Sequence, residues 1–320
     1  MDAVAALEIL SAGPLTSVQD LGRSGYGRYG VALSGALDPY ALRIANLLVG
    51  NRENDAAIEV TLMGLTARIL TDLVVAVTGA DLQLCLNRKP LKMWCSHALK
   101  KDDILSFRRP LSGCRAYLAL GGKIHIPAVM GSKSTNLSAA FGGFNGRPFK
   151  DGDILSLEPS ATGWLEGESA IDPRQIPVYP RDWLLRVLMG PQDNHFARAV
   201  LDTFLNAAFK VSPQSNRVGI RLEGPVIERK AGMQASIISE GVIAGTIQVP
   251  GDGQPIIILG ETVTGGYRKV ATVITADLPL LGQVKPGNHI MFQAVSLESA
   301  NQALKDVEKN IREIKQRLSA

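Results

Sequence analysis

Polar side chains recur at the ends of short β-branched runs in residues 236–284, a stretch that also contains many Gly, Pro and Asp residues. Val, Ile and Thr suit a pleated surface and Gly-Asp-Gly permits a tight reversal, so the stretch predicts a compact antiparallel sheet or barrel. The predicted strands are Ser236–Ser239, Gly245–Val249, Pro255–Leu259 and Lys269–Ala276. The polar residues at their ends are Glu240, Gln248, Gln254, Thr264 and Tyr267. Such a rim can line a cleft for a small polar ligand, with a plain β-meander as the alternative.

A second candidate is the glycine-rich loop Thr16–Gly30, which contains G-x-G-x-x-G at Gly25, Gly27 and Gly30. A dinucleotide fold needs these glycines to open a helix directly after a strand, with an acid about twenty residues further on. Here another loop, VALSGA, follows instead. The pattern therefore favours a flexible backbone that approaches another group closely.

A third candidate, residues 131–135 (Gly-Ser-Lys-Ser-Thr), resembles the end of a phosphate-binding loop. A Walker loop needs glycine immediately before the lysine, and Ser132 stands there. The hydroxyls, the ammonium of Lys133 and the backbone N–H groups can still hold an anion. A solvated loop without a ligand is the alternative.

Composition excludes several classes of protein. With 320 residues, 46% apolar and 20% charged, the chain can bury substantial cores, and two domains are expected. A net charge of +4 without a basic stripe does not predict nucleic-acid binding. Three scattered cysteines predict reduced thiols and no Cys-based metal site. We see no signal peptide and no apolar run of membrane-spanning length, which predicts a soluble cytoplasmic protein.

Standard catalytic signatures are absent from the sequence. It contains no G-x-S-x-G elbow and no H-E-x-x-H pair, and its four histidines are dispersed. No biotin-attachment sequence of the Ala-Met-Lys-Met type is present, so a carboxyl carrier would have to come from another chain or domain.

The elements that position these candidates can be outlined. Asp38 and Pro39 predict a helix that begins there and ends near Gly50, and Asp193 predicts a helix cap with the helix running to about Ala208. Apolar residues at three-to-four spacing predict an amphipathic C-terminal helix from Leu297. We expect an N-terminal β-rich domain (1–160), a linker (161–182), a β-barrel domain (183–296) and a C-terminal helix (297–320).

A polar turn that feeds a short apolar strand occurs three times, beginning at Lys101, Lys150 and Lys285. The recurrence is a weak sign that two related β-domains were joined. Chance is the alternative, because turn-strand phrases are common in all-β proteins.

Many short motifs fall in the order seen in the KipA/PxpC family, also called allophanate hydrolase subunit 2 or biotin-dependent carboxyltransferase-like. They span roughly Leu7 to Val295, and their number and order make the resemblance specific. One departure is Lys133, where the family usually has arginine; lysine keeps the charge but loses the bidentate fork. The motifs are SVQDLGRSG (17–25), SGALD (34–38), ANLLVGN (45–51), GSKST (131–135), FGGF (141–144), SNRVG (215–219), SEG (239–241), QVP (248–250), GQP (253–255) and TGGY (264–267).

This resemblance implies a mainly β fold of two cyclophilin-like barrels with a few helices. It also implies partners: a KipI/PxpB-type subunit and a LamB/YcsF-type subunit in a hetero-oligomer, of which a homodimer of heterodimers is one form. With ATP as co-substrate, such an assembly opens 5-oxoproline to L-glutamate. The carbonyl is a poor electrophile, so fixed donors for a developing oxyanion are needed.

The resemblance and the polar clusters together nominate site residues on both predicted domains. For catalysis these are Glu240 and Asp38 in proton transfer and Lys133 and Arg217 as anion holders, with Asp38 competing as a helix cap. The predicted substrate-binding residues are Arg23, Ser134, Thr135, Asn216, Gln248, Thr264 and Tyr267. We expect no metal.

Two other functions stay open from the sequence. One is half of a biotin-dependent carboxyltransferase that acts on urea or a similar amide, with biotin supplied in trans. The other is a non-catalytic module that antagonises a KipI-type inhibitor of a sensor histidine kinase. The first predicts activity that avidin abolishes, and the second predicts tight binding without turnover.

Overall fold

A computed structural model describes residues 3–158 and 168–319 and divides the chain into two compact units. Unit 1 comprises Met1–Arg23, Ser34–Tyr179 and Asn310–Ala320, and unit 2 comprises Ser24–Leu33 and Pro180–Lys309. Part of the predicted linker, 161–167, lies outside the described residues.

Unit 1 is built from two antiparallel sheets, of seven and five strands. The sheet orders are β11-β12-β1-β4-β9-β6-β7 and β2-β3-β10-β5-β8. The strands are β1 Val4–Ala12, β2 Leu15–Gln19, β3 Ala57–Thr61, β4 Leu65–Ile69, β5 Leu73–Asp81, β6 Leu84–Leu86, β7 Lys89–Pro90, β8 Ser96–Leu99, β9 Ile104–Phe107, β10 Ser112–Leu120, β11 Lys123–Ile124 and β12 Ile154–Glu158. Their apolar side chains form one core that includes Leu7, Val60, Leu105 and Leu118, all fully buried.

Helix α1, Pro39–Leu48, follows the sequence prediction closely. The side chain of Asp38 accepts a hydrogen bond from the Ala41 N–H, which is the N-cap contact expected of this residue type. Pro39 occupies the first helical position, where its missing N–H costs nothing. Most of the helix is buried, because apolar residues recur at its spacing.

The three turn-strand phrases share one turn geometry. The backbone N–H groups of Lys100, which directly precedes the first phrase, and of Lys150 and Lys285 each donate to the side chain of the residue three positions later, at 2.8, 2.7 and 3.0 Å. A short polar side chain that caps its own turn in this way fixes the start of the following strand. The recurring phrase therefore has a common physical basis in β9, β12 and the last strand of unit 2.

Unit 2 is organised around a closed barrel of seven strands in the order β13-β20-β17-β18-β15-β14-β21. The parallel pair β13–β21 aligns Trp183 with Ile290, and the other barrel pairs are antiparallel. Two short strands, β16 and β19, pair outside the barrel. The strands are β13 Asp182–Met189, β14 Phe209–Val211, β15 Gly219–Glu223, β16 Glu240–Gly241, β17 Thr246–Val249, β18 Ile256–Ile258, β19 Thr264–Gly265, β20 Arg268–Val273 and β21 His289–Ala294. The mainly β fold predicted from the sequence is confirmed.

Two predicted elements of unit 2 were wrong. The helix expected from Asp193 begins later, as α2, Arg198–Asn206, and Asp193–His195 form a separate 3-10 turn. Phe196 separates them, because it is extended and pairs with Arg229 in an isolated bridge. The strand predicted at Ser236–Ser239 is irregular backbone.

A short helix, α3, covers Leu278–Leu281.

The predicted C-terminal helix is confirmed as α4, Leu297–Leu318. Near its start, Ala300 packs in a small apolar cluster of unit 2 with Ile274 and Ala276. Its last turns group with unit 1, where Ile311 and Ile314 are buried.

Three negative findings concern the described residues only. None of the helices within 3–158 and 168–319 combines the length and apolarity that crossing a bilayer requires. In the same ranges, His, Cys, Asp and Glu form no group of three or more that could hold a metal ion. The three cysteines are buried and free of disulfide bonds.

Candidate active site

Lys269 and Gln248 lie side by side on β20 and β17 of the barrel. Both residues are buried, with 7% and 3% of their surface exposed. A buried lysine needs a partner for its charge. Its ammonium donates to Glu240 Oε2 at 2.5 Å, and the carboxylate of Glu240 is about half exposed. The pair therefore brings one buried cation and one solvent-reaching anion together at the barrel rim.

The position of Glu240 is set by the small sheet of β16 and β19, in which Glu240 pairs with Gly265. A Cβ at Gly265 would lie closer than van der Waals contact to the Gln248 amide nitrogen, so a larger residue there would displace that amide. That amide donates through Nε2 to the backbone carbonyl of Tyr267 at 3.3 Å. The Thr264–Tyr267 turn and the Gln248 side chain are therefore fitted to each other.

Gln192 completes the cluster from the segment after β13. Its Oε1 accepts a hydrogen bond from the Lys269 backbone N–H at 2.9 Å, and its Nε2 lies 3.5 Å from both Glu240 oxygens. The hydrogen bond from Lys269 is the largest influence on Glu240 and lowers the pKa of its carboxyl group. At neutral pH the cluster therefore presents a carboxylate beside an ammonium, with two amides around them.

This arrangement supplies the two functions that chemistry at an amide carbonyl requires. An ammonium can stabilise negative charge that develops on the carbonyl oxygen, and a carboxylate can accept an N–H or activate water. Sequence reasoning named Glu240, Gln248, Thr264 and Tyr267 but missed Lys269 and Gln192. The available signal for Lys269 was a pair of charged residues, Arg268 and Lys269, at the start of a strand that continues with Val, Ala and Thr.

Arg217 and Asn216 lie in unit 2 but serve other contacts. The guanidinium Nε of Arg217 lies 2.8 Å from Glu261 Oε1, and both side chains are almost fully buried. Asn216 Oδ1 accepts from the backbone N–H groups of Val218 and Gly219 and so shapes the turn before β15. Gln254 exchanges hydrogen bonds with the backbone of Gly224. These contacts fix the turns and loops that connect the barrel strands.

The predicted anion loop of unit 1 is organised around a buried carboxylate, Asp20. Its Oδ1 accepts from the hydroxyls of Ser132 and Ser134 at 2.7 and 2.5 Å, and its Oδ2 accepts from the Lys133 N–H at 2.6 Å. The hydroxyl of Thr135 donates to the Val18 carbonyl at 2.9 Å. The donors that would cradle a phosphate already serve Asp20, so these atoms do not fit a nucleotide phosphate as they stand.

The cationic side chains beside this loop are also engaged within unit 1. Lys133 Nζ donates to the Ile124 carbonyl at 2.5 Å. Arg23 is 1% exposed, donates to the Ser134 carbonyl at 2.5 Å and lies over the Phe141 ring at 4.7 Å. The Arg23–loop contacts thus connect the glycine-rich segment with residues 131–142.

Asp38 belongs to a buried network at the start of α1. Besides capping the helix, its carboxylate accepts from the Tyr179 hydroxyl at 3.1 Å, and its N–H donates to Tyr117 Oη at 2.8 Å. Burial and then the charge of Asp38 raise the pKa of Tyr179. The structure therefore supports a capping role for Asp38.

Known proteins are similar to this chain in sequence and in fold. A family model described as the carboxyltransferase domain, subdomain A and B, matches residues 29–294. The chain is 39% identical to the C subunit of 5-oxoprolinase from Escherichia coli (strain K12) over 313 residues, which cover 98% of both chains. It is 37% identical to the corresponding 5-oxoprolinase protein of Haemophilus influenzae over 295 residues, or 92% of this chain and 93% of the relative.

A solved structure extends the similarity to a second enzyme type. The chain resembles the crystal structure of the K. lactis urea amidolyase with a TM-score of 0.90 and 34% sequence identity. The match covers 98% of this chain and 20% of that one. The present chain therefore corresponds to about one fifth of that larger protein.

Proposed function

The chain belongs to the family of carboxyltransferase domains with subdomains A and B, and from that premise we propose that it is the C component of an ATP-dependent 5-oxoprolinase. The assembly opens the lactam of 5-oxoproline to L-glutamate. The observation that carries the proposal is the similarity, over 98% of both chains, to the 5-oxoprolinase protein of Escherichia coli.

The Lys269–Glu240 pair is the chemical centre that we assign to this chain. In the proposed reaction, the lactam C–N bond breaks, and one water supplies an oxygen to the new carboxylate and a proton to the leaving nitrogen. A second water is consumed as ATP becomes ADP and phosphate. The ammonium of Lys269 carries three N–H groups, and one of them donates a hydrogen bond to Glu240 Oε2. A further N–H of Lys269 stabilises the carbonyl oxygen as it becomes negative, while Glu240 accepts a hydrogen bond from the lactam N–H and orients the ring.

Gln248, Thr264 and Tyr267 form the wall against which we place the substrate. Gln248 is held by the Tyr267 carbonyl, so its amide is fixed before the substrate arrives. For Arg217, Asn216, Ser134, Thr135 and Asp38 we propose structural roles, because their polar atoms hold loops, turns and helix ends. Arg23 and Lys133 support the same loop, and nucleotide contacts belong elsewhere in the assembly.

Partner proteins complete this proposal. The two 5-oxoprolinase relatives are each named as one subunit of an enzyme, which implies an assembly of several chains. We propose a KipI/PxpB-type and a LamB/YcsF-type chain as the companions of this one. Three buried free cysteines suit a reducing compartment, so we place the assembly in the cytoplasm.

The direct test is reconstitution of the assembly. The purified chain is mixed with both partner proteins, ATP and 5-oxoproline, and L-glutamate is measured over time. We expect glutamate only when all three proteins and ATP are present. A complete set of folded proteins that forms no glutamate would refute the proposal.

A second candidate function is favoured by the likeness to the K. lactis urea amidolyase structure. In this alternative, the chain accepts a carboxyl group from carboxybiotin, supplied in trans, and transfers it to urea or a similar amide. Lys269 and Glu240 would then orient the amide nitrogen and the incoming carboxyl group. Activity that requires a biotin carrier and is abolished by avidin would identify this function.

A further inference from the structure

A polar cavity in unit 2 lies beside the start of β20. Its volume is about 310 Å³. Its lining includes residues 226–233, the end of β17, Phe196 and Arg268. The lining contains Arg268 and its strand partner Val249, but not the neighbouring pair Lys269 and Gln248. The cavity is therefore distinct from the candidate active site.

Positive charge predominates in the lining of this cavity. Arg229, Lys230 and Arg268 are cationic, and Glu228 is the one acidic residue among the lining residues that the structure describes. Lys230 donates through Nζ to the Asn194 carbonyl at 2.8 Å, which keeps its charge beside the cavity wall. A small anion would therefore meet an excess of positive charge.

Arg268 is the buried member of this set, with 5% of its surface exposed. Its Nε donates to His195 Nδ1 at 3.1 Å, and its Nη1 donates to the Gln234 carbonyl at 2.5 Å. Within residues 3–158 and 168–319, its Nη2 makes no hydrogen bond. Nη2 is not one of the buried polar atoms that lack a partner, so it keeps access to solvent and can donate to an anion that enters the cavity.

Arg229 is oriented in a similar way from the neighbouring loop. Its Nε donates to the Met233 carbonyl at 2.9 Å, and its Nη1 lies 3.4 Å from the Gly251 carbonyl. These contacts fix the guanidinium. Its Nη2 makes no hydrogen bond to another described residue. Two guanidinium groups held by backbone carbonyls form a preorganised site, because little side-chain freedom remains to be lost on binding.

We propose that this cavity binds a small oxyanion, either a carboxylate or a phosphate, through Arg268 and Arg229. Guanidinium groups match the geometry of both anions and make strong charge-assisted hydrogen bonds with them. A volume of about 310 Å³ suits a small metabolite.

Calorimetric titration of the purified full-length chain with inorganic phosphate, and separately with succinate, tests this proposal. We expect the wild-type chain to bind at least one probe with a Kd of roughly 1 mM or tighter. Arg268→Gln should weaken that binding at least about tenfold, because a charge-assisted hydrogen bond is lost. Arg221→Gln, a matched change at an exposed arginine of β15, should leave it unchanged.

Preference for phosphate or for succinate identifies the natural ligand class, and either preference supports the proposal. Arg229→Gln provides a second variant if Arg268→Gln does not fold, with circular dichroism as the check on folding. The proposal is overturned if the wild-type chain binds neither probe, or if the folded arginine variants bind as the wild type does. Neither outcome involves turnover, so the proposed 5-oxoprolinase function is tested separately.

Discussion

The ammonium of Lys269 lies 2.5 Å from Glu240 Oε2, and the two partners differ sharply in their access to water. The side chain of Lys269 is 9% exposed, whereas that of Glu240 is 48% exposed. The buried lysine is paired with a carboxylate that still reaches solvent, where a substrate can meet it. This relationship between one barrel strand and one short outer strand is the basis of the proposed chemistry.

Arg217 and Glu261 should matter for stability. Truncating Arg217 to alanine leaves the Glu261 carboxylate buried with this ion pair broken, which should reduce the free energy of unfolding by about 3–5 kcal/mol. Urea denaturation followed by circular dichroism measures the loss. The exposed Arg221→Ala variant is the control and should change the free energy of unfolding by less than about 0.5 kcal/mol. Equal stability of both variants would contradict the structural role of Arg217.

Asp20 should be the organiser of the 131–135 loop. Asp20→Ala leaves two buried hydroxyls and the Lys133 N–H without their acceptor, and should destabilise the chain by about 3 kcal/mol or more. Limited proteolysis should then cleave this loop faster than in the wild type. Glu168→Ala, at an exposed acid of unit 1, is the control. An intact, protease-resistant loop in Asp20→Ala would refute this role.

The end of α4 should contribute to the stability of unit 1. Ile314 is fully buried, and Lys315 Nζ donates to Glu53 at 2.9 Å one residue further on. Ile314→Ala should cost about 2–5 kcal/mol, because it removes buried methyl and methylene groups and leaves a cavity. Gln316→Ala, an exposed neighbour, should have little effect on thermal unfolding. If both variants unfold at the wild-type temperature, the packing of Ile314 does not contribute to the stability of unit 1.

Three of the chain's six tyrosines should resist ionisation in the folded protein. Burial, and then the charge of Asp38, raises the pKa of Tyr40 to about 12. Burial is also the largest cause that raises the pKa values of Tyr117 and Tyr179. Ultraviolet titration of tyrosinate should therefore show these three still protonated at about pH 11, where the unfolded chain, with tyrosine pKa values near 10, is mostly ionised.

The same shifts predict how stability depends on alkaline pH. Because the folded pKa values lie above the unfolded value, the contribution is fully present below about pH 10 and is lost as pH rises through the folded values. For Tyr40 this window runs from about pH 10 to about pH 12. Tyr40→Phe should flatten the decline in unfolding free energy across this window. An unchanged decline would show that Tyr40 does not cause it.

Local signals predicted local structure well. Asp38-Pro39 at the start of α1 and the apolar spacing of α4 both depend on contacts within a few residues, and both helices are found where expected. The start of α2 was misplaced because Phe196 pairs with Arg229, a partner more than thirty residues away. No local propensity reveals such a contact.

The candidate site shows the same division between local and distant contacts. Glu240 and Gln248 stood out as polar residues at strand ends, but their meeting depends on the pairing of β16 with β19 and of β17 with β20. Ser134 also attracted a functional interpretation, since hydroxyls beside a lysine resemble an anion loop. Its hydroxyl instead donates to Asp20, which lies 114 positions earlier in the chain.

The reconstituted 5-oxoprolinase assay with Lys269→Met tests the central claim most directly. Methionine keeps the length of the side chain but removes the charge, and the exposed Lys210→Met on β14 is the matched control. Circular dichroism confirms that both variants are folded. We predict that Lys269→Met lowers glutamate formation by about a hundredfold or more, as expected for loss of an oxyanion-stabilising group, while Lys210→Met remains near wild type. Wild-type turnover by a folded Lys269→Met protein would contradict the account.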